Sequence, residues 1–423
     1  MFKKGYLLFI TLILCLAQTT ILSAQDNDQP VNQQWRDYGL EYRTFRFTLI
    51  PGLSSNGIDA VDYASKYSLN ILAGYHGALE EGFELGGLVN ANKYYAHGVQ
   101  IAGLGNYSGR ETAGIQLAGV GNYSNDEMLG IQFAGIGNWS NKNMQGIQFS
   151  GLFNLSGGNS QGLQASGLIN ISKTGMQGLF GSGVGNITGG NMEGLLFSGV
   201  FNIAKNDMQG IAASGVLNYS KSFQGISLSM VNVNQEFQGI QVGNVNIADE
   251  AEGIQVGLVN YAKEFEGLPV GLISYYENGR TNIDTWSSET GFTNVGLKLG
   301  TNEVYNMVSI GYNPFLEREV WQVGWSIGRL HEYEHHYLYS DFSYFKINEG
   351  SWTKDLNSIL KYRLLFGKKF SNNLKIYGGP TLNMLISRVP ESDDYTFYRI
   401  LDFSAKGRQY IAWAGLSFGI ELF

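Results

Sequence analysis

The chain has 423 residues with a formal net charge of -8, and 57 of them are glycine, against an ordinary share of about 7%. With only 6 prolines and no Gly-X-Y period, collagen is excluded. A composition of 43% apolar, 13% aromatic and 15% charged residues excludes disorder, and no Lys/Arg cluster is dense enough to bind nucleic acid.

Residues 1–24 combine Lys3 and Lys4, an apolar run from Tyr6 to Ala17, and Leu22-Ser23-Ala24 ahead of Gln25. A basic start, a short apolar core and a small residue at the cut make a secretory signal. The run is shorter than the about 20 residues a membrane helix needs. The only cysteine, Cys15, lies inside it, and Leu14 precedes it where a lipoprotein site wants a small residue. Cleavage after Ala24 leaves a cysteine-free chain, in which neither disulfides nor thiol chemistry contributes. No later apolar stretch suits a spanning helix, so membrane entry requires a closed β-barrel. Residues 25–34 read as a polar leader, and 43–53 and 68–75 as two strands.

A repeat then fills the middle. Gly82, Gly98, Gly114, Gly130, Gly146, Gly162, Gly178, Gly194 and Gly210 stand 16 residues apart; Gly225 follows after 15, then Gly239, Gly253 and Gly267 at intervals of 14. An apolar residue follows each glycine, as at Ile131, Ile147 and Ile240, and an aliphatic one stands six positions on, as at Ile136, Leu152 and Val245. Asn90, Asn106, Asn122, Asn138, Asn154, Asn170, Asn186, Asn202, Asn218, Asn232, Asn246 and Asn260 form a parallel column. So regular a period is the mark of a repeat architecture. Within a unit, Ile147 and Phe149 alternate with Gln148 and Ser150, and the phase slips at Gly151. This predicts two short strands per unit with a bend between them, both turning apolar side chains inward.

The simplest architecture is a parallel β-solenoid of thirteen coils at about 4.8 Å each, with asparagines hydrogen-bonded along the stack. The rival is one large up-and-down β-barrel, since each unit also holds about ten extended residues, enough to span a membrane. Antiparallel neighbours would throw equivalent columns to opposite rims, which favours the solenoid. After residue 279 the columns stop and aromatics become dense. Trp321, Val323, Trp325 and Ile327 alternate with Gln322, Gly324, Ser326 and Gly328; 304–312, 360–366, 382–386 and 416–422 alternate likewise. About eight such strands, with one apolar and one small or polar face, predict an antiparallel, barrel-like domain of outer-membrane type. The chain is thus divided into a signal (1–24), a leader with N-terminal strands (25–81), a repeat region (82–279) and a barrel-like domain (280–423), all-β throughout.

Gly-Ile-Gln-Phe-Ala-Gly-Ile-Gly-Asn at 130–138 resembles the repeat of bacterial surface-repeat proteins. Leu49-Ile50-Pro51-Gly52-Leu53 and Ser68-Leu69-Asn70 resemble the segments ahead of that family's repeats. The resemblance covers residues 40 to 275 and implies a cell-surface or outer-membrane location, with no catalytic residues to carry over.

No catalytic, cofactor or metal residue is assigned. His331-Glu332-Tyr333-Glu334-His335 matches His-Glu-x-x-His, but zinc protease chemistry needs a helix to put both histidines on one face. Here the flanks alternate like strands, so a His- and Glu-rich turn is the plainer reading. The Asn-x-Ser/Thr triplets at Asn106, Asn122, Asn138, Asn154, Asn170, Asn186 and Asn218 belong to the ladder column and not to glycosylation. Glycine-rich stretches such as 103–109 lack the Gly-Lys-Ser/Thr of a phosphate loop, and the repeat lacks the aspartates of a calcium β-roll. The expectation is a non-enzymatic, exported surface or outer-membrane repeat protein with a structural or binding role, no cofactor, the outer membrane and an unspecified surface ligand or protein as partners, and no nucleic acid. Its alternative is a porin-like channel in which the repeats line one wide barrel.

Overall fold

Neighbouring repeats run parallel and in register. The computed structural model describes residues 34–316, 319–334, 336–352, 357–371, 373–388, 395–396 and 398–422. The signal expected at residues 1–24, Cys15 within it and Phe423 lie outside the described residues. The coil at Gly146 shows the construction, with Met144–Ser150 and Phe153–Ser156 as its two strands. Gly130, Gly146 and Gly162 are direct partners, as are Gln132, Gln148 and Gln164. Asn122, Asn138, Asn154 and Asn170 pair in the same way. This register overturns the single up-and-down barrel, and with it the wide channel that the repeats would line.

The glycine column follows from the coil spacing. Gly146 has φ +132°, and a Cβ there would lie 2.0 Å from the Gly130 carbonyl oxygen. Only glycine combines that backbone with so close an approach. At the other bend, a Cβ on Gly151 would meet the Gly135 oxygen at 2.0 Å.

Parallel pairing begins ahead of the glycine column. Glu41–Ile50 pairs with Tyr63–Asn70 from Glu41↔Tyr63 to Thr48↔Asn70, and Tyr63–Asn70 pairs in turn with Ala78–Gly86. The segments read as strands before the repeats therefore belong to the same stack. Gln34 opens a short helix, Gln34–Asp37, whose Trp35 packs with the following Tyr38 on a small cluster of Leu40, Ala64, Ala78 and Tyr95.

The strands face the opposite way from the sequence expectation. Met144, Gln148, Asn154 and Ser156 point inward and are buried. The aliphatic and aromatic columns point outward: Phe133 is 42% exposed, Trp139 46% and Leu152 41%. What makes a polar interior tolerable is amide stacking. Gln164 Nε2 donates to Gln148 Oε1 at 2.7 Å, Gln148 to Gln132 at 2.7 Å, and Gln132 to Gln116 and Gln116 to Gln100 at 2.6 Å. The asparagines donate the other way: Asn106 to Asn122, Asn122 to Asn138, Asn138 to Asn154 and Asn154 to Asn170, all at 2.9 Å. Each asparagine's second N–H closes on the backbone carbonyl eleven residues on, as Asn138 Nδ2 does on Phe149 O at 3.0 Å. These bonds pair the amides along the rows, as buried polar groups require, while the Gln164 oxygen at the end of its row has no partner among the described residues.

The chain forms two compact units, the first ending at Phe223 and the second spanning Gln224–Phe423. In the second unit, 14-residue coils stack as before, with Asn232↔Asn246 and Gly239↔Gly253 as partners. Antiparallel strands follow: Arg280–Ser288, Thr293–Gly300, Val304–Asn313, Val320–Tyr333, His336–Glu349, Asn357–Ser371, Leu374–Ser387, Leu401–Ala405 and Arg408–Leu422. Consecutive strands pair, except that Leu374–Ser387 pairs with Arg408–Leu422, which closes the ring on Arg280–Ser288 through Ile283↔Leu422 to Ser288↔Ser417. Eight strands make the closed barrel, and Leu401–Ala405 is a short flap on the last of them.

Two glycines test this account of the column. Gly146→Ala forces a side chain into the neighbouring coil and is expected to destabilise the stack by about 1–3 kcal/mol. Gly181→Ala, whose Cβ meets nothing within 4 Å, is expected to be nearly neutral. Chemical denaturation of the two variants side by side makes the measurement, and equal midpoints would refute the packing argument.

Candidate functional site

In the barrel, strand alternation sorts residues into two environments. Inward positions carry charge. Arg363 donates to Asp341 through Nε at 2.8 Å and Nη2 at 2.9 Å, and Tyr305 donates to the same carboxylate at 2.8 Å. Lys298 bridges Asp284 at 2.7 Å and Glu421 at 2.9 Å, while Lys375 reaches the other Glu421 oxygen at 2.9 Å. Around these ion pairs Trp286, Trp413, Tyr305, Tyr339 and Tyr377 are buried and fill the lumen. Lys298 Nζ lies 4.4 Å from the Tyr339 ring centre and the Arg363 guanidinium 4.8 Å from that of Trp286, so the cations also meet aromatic faces.

Outward positions over the middle of the strands are mostly apolar. Val295, Leu297, Val308, Ile310, Phe342, Tyr362, Leu382, Leu416 and Phe418 are all exposed on the outer wall. Tyr312, Trp321 and Trp352 stand near one rim, and Tyr333, Phe366 and Phe370 toward the other. The five longest barrel strands have 14 or 15 residues, more than the about 9–11 that a tilted spanning strand needs. An apolar belt outside a closed, polar-filled barrel is the arrangement that hydrocarbon surroundings stabilise.

The solenoid holds a second buried charge cluster, in its first coils. Arg46 Nη2 donates to Glu84 Oε1 at 2.9 Å, with both side chains fully buried. Asn92 and Gln100 each donate to Glu84 Oε2 at 2.8 Å, and His76 Nε2 donates to Asn70 Oδ1 at 2.9 Å. Glu84 occupies the position that Gln100, Gln116 and Gln132 hold in later coils, so the carboxylate ends the row of amides that donate toward it. Burial pulls the Arg46 guanidinium down to about 10, against the pull of Glu84. Burial, helped by the Arg46 charge, lowers the His76 imidazole to about 2. Sequence reading passed over these residues, although Glu84 stands where glutamine recurs.

His331 and Glu332 lie at the end of the extended strand Val320–Tyr333 and pair with Leu338 and Tyr337. The zinc motif needs a helix to bring histidines four apart onto one face, and His331 stands on extended backbone instead. His335 lies outside the described residues. Among the described residues, no group of three or more His, Cys, Asp or Glu side chains is placed to hold a metal ion. The Asn-x-Ser/Thr asparagines are buried in the ladder, Asn106, Asn122, Asn138, Asn154, Asn170, Asn186 and Asn218 alike.

No family model and no curated protein matches the chain. Among solved structures the chain is similar to the crystal structure of the N-terminal β-barrel domain of Pseudomonas aeruginosa OprF, with 10% identity, 34% of this chain and 95% of that one covered, and a TM-score of 0.21.

The buried cluster generates two expectations. Glu84→Gln leaves Arg46 charged and unpaired and should cost about 3–5 kcal/mol, most of it regained when Arg46→Met is added. Denaturation midpoints of the single and double variants decide this. The second expectation concerns acid. Below about 6.5 an unfolded histidine takes up a proton that folded His76 refuses. Stability is therefore full above that pH and falls as pH drops below it, by about 1.4 kcal/mol per pH unit. His76→Gln should remove this part of the slope; an unchanged slope would assign it elsewhere.

Proposed function

We propose that this chain is a non-enzymatic bacterial outer-membrane protein of the surface-repeat kind, exported by the signal at residues 1–24. The eight-stranded barrel spans the bilayer and serves as the anchor. The solenoid is the presented part, with a structural or binding role toward a surface ligand or protein. The observation that carries this reading is the inversion in the barrel: Asp341, Arg363, Asp284 and Lys298 inside, Val308, Ile310, Leu382 and Phe418 outside. In water such an arrangement would bury ion pairs at a desolvation cost and leave the apolar surface wet.

A pair of nitroxide labels tests it in the full-length protein reconstituted in phosphatidylcholine vesicles, in a Cys15→Ser background. Ile310→Cys places the label on the outer wall, and Ser309→Cys places it one residue away in the lumen. The label at 310 is expected to be relaxed by oxygen, which concentrates in hydrocarbon, and sheltered from a water-soluble nickel chelate. The label at 309 should show no such preference for oxygen. Nickel access at 310 in a folded barrel would overturn the anchor.

A further inference from the structure

The solenoid coils have one polar and one apolar edge. The segments 82–92, 98–108, 114–124, 130–140, 146–156, 162–172, 178–188, 194–204 and 210–220 contain a single Asp, Glu, Lys or Arg, the interior Glu84. The charges of this stretch crowd instead into the turns that join one coil to the next, as at Arg110, Asp126, Lys142, Lys173 and Lys205. The opposite bend, at Gly135-Ile136 and its counterparts, is flanked by outward Phe133, Trp139, Phe149 and Leu155. Leu88, Leu104, Val120, Ile136, Leu152 and Leu168 form an exposed aliphatic row along it.

The backbone of this apolar bend is satisfied within the stack. Leu152 N–H donates to Ile136 O at 2.8 Å and Phe153 N–H to Ile136 O at 3.1 Å; Ile136 and Gly137 donate to Val120 O at 2.8 and 3.1 Å. The same bonds recur at Leu104 and Leu168. The charged turns are paired along the stack as well, Lys142 N–H donating to Asp126 O at 3.2 Å, so the pairing does not tell the edges apart but lets the apolar one meet the condition that hydrocarbon sets. In the second unit the corresponding edge carries Met230, Val242, Leu258 and Leu272 and runs onto Trp325 of the barrel's outer wall, whose indole donates to Gly271 O at 2.6 Å. There the edge and the proposed lipid-facing belt form one surface.

We infer that the apolar edge of the solenoid is seated in the acyl-chain region of one membrane leaflet, with the charged turns on the aqueous side. This rests on the reading of the barrel as a membrane anchor. The depth is set by the coil. From the bend to the last outward apolar residue is three positions on the strand that follows it, as from Ile136 to Trp139, and five on the strand that precedes it, as from Val120 back to Ile115, about 10–17 Å. That is roughly half of the about 30 Å hydrocarbon core, so the coils enter one leaflet and do not span.

The test uses full-length protein in phosphatidylcholine vesicles, in a Cys15→Ser background, with one nitroxide per variant. Leu152→Cys labels the apolar edge, Lys142→Cys the polar edge, and Ile310→Cys the barrel wall. The expected result is a several-fold higher ratio of oxygen to nickel-chelate relaxation at 152 and at 310 than at 142. If 310 behaves so but 152 responds to nickel as 142 does, the edge lies in water; the inference falls and the anchor stands. A label at 152 shielded from both reagents means that protein covers the edge, which overturns the inference equally. Nickel access at 310 as well as at 152 removes the anchor and the inference together.

Discussion

Stacking of side-chain amides at the spacing of a β-ladder is the interaction on which the repeat region depends. An amide carries donor and acceptor at opposite corners, so one hydrogen bond plus the width of the group spans the distance between coils. A hydroxyl is a single atom and cannot do this. Ser150, Ser166, Ser182, Ser198 and Ser214 show the difference, since their buried hydroxyls have no partner among the described residues. Direction follows from the same geometry. A row of glutamines that donates toward the first coils must end on a group that only accepts, and Glu84 is that group. At its other end the row stops at Gln164, where Phe180 takes the next position and the Gln164 oxygen is left without a partner. From there on Met176, Phe180, Met192 and Leu196 fill the interior, which shows that the coil accommodates either chemistry provided the column stays consistent.

A polar interior leaves the apolar residues for the outside. Solenoid and barrel reach this inversion separately, one by amide rows and the other by ion pairs clasped between aromatic rings. In each, the amide rows and ion pairs are bonded to fixed neighbours, while some interior atoms, among them Arg46 Nη1 and Arg363 Nη1, have no partner among the described residues. Each outer wall presents aliphatic and aromatic side chains that gain nothing from water. The Arg46–Glu84 and Arg363–Asp341 pairs play matching parts. Both are fully buried, and both are hydrogen-bonded to further groups, the condition under which a buried pair is tolerated.

The column spacing of Gly and Asn made the parallel stack legible, because antiparallel neighbours cannot keep the same residues in register. The inward side was not legible. Alternation of Ile147 and Phe149 with Gln148 and Ser150 shows that two faces differ, but period alone does not say which is buried. The expectation that apolar residues turn inward carried an assumption of aqueous surroundings. In the barrel the same ambiguity did no harm, since an apolar outer face was already the reading for a membrane strand. The charged lumen still went unseen: Lys298 and Glu421 lie far apart in sequence and meet only when the ring closes. Segments 43–53 and 68–75 showed no glycine column, so their place in the stack became visible only through pairing.

A parallel stack must also end, and its terminal coils expose unpaired backbone that a closed barrel does not have. The first strand, Glu41–Ile50, is partly covered by Leu53–Ser54, which folds back through Thr48↔Ser54 and Ile50↔Leu53. Within the second unit the barrel covers the last coil. Asn306 stands in an outward column between apolar neighbours, where a lipid-facing strand has no use for an amide. Its Nδ2 donates to Pro269 O at 2.9 Å, and its Oδ1 accepts from Gly271 N–H at 3.1 Å. Trp325 takes the Gly271 carbonyl. These side chains do for the last coil what the next coil would have done, and Asn306 continues the asparagine logic of the ladder by pairing with the backbone across a gap. The polar break that Asn306 makes in the barrel's outer wall is thus explained by the coil it pairs with.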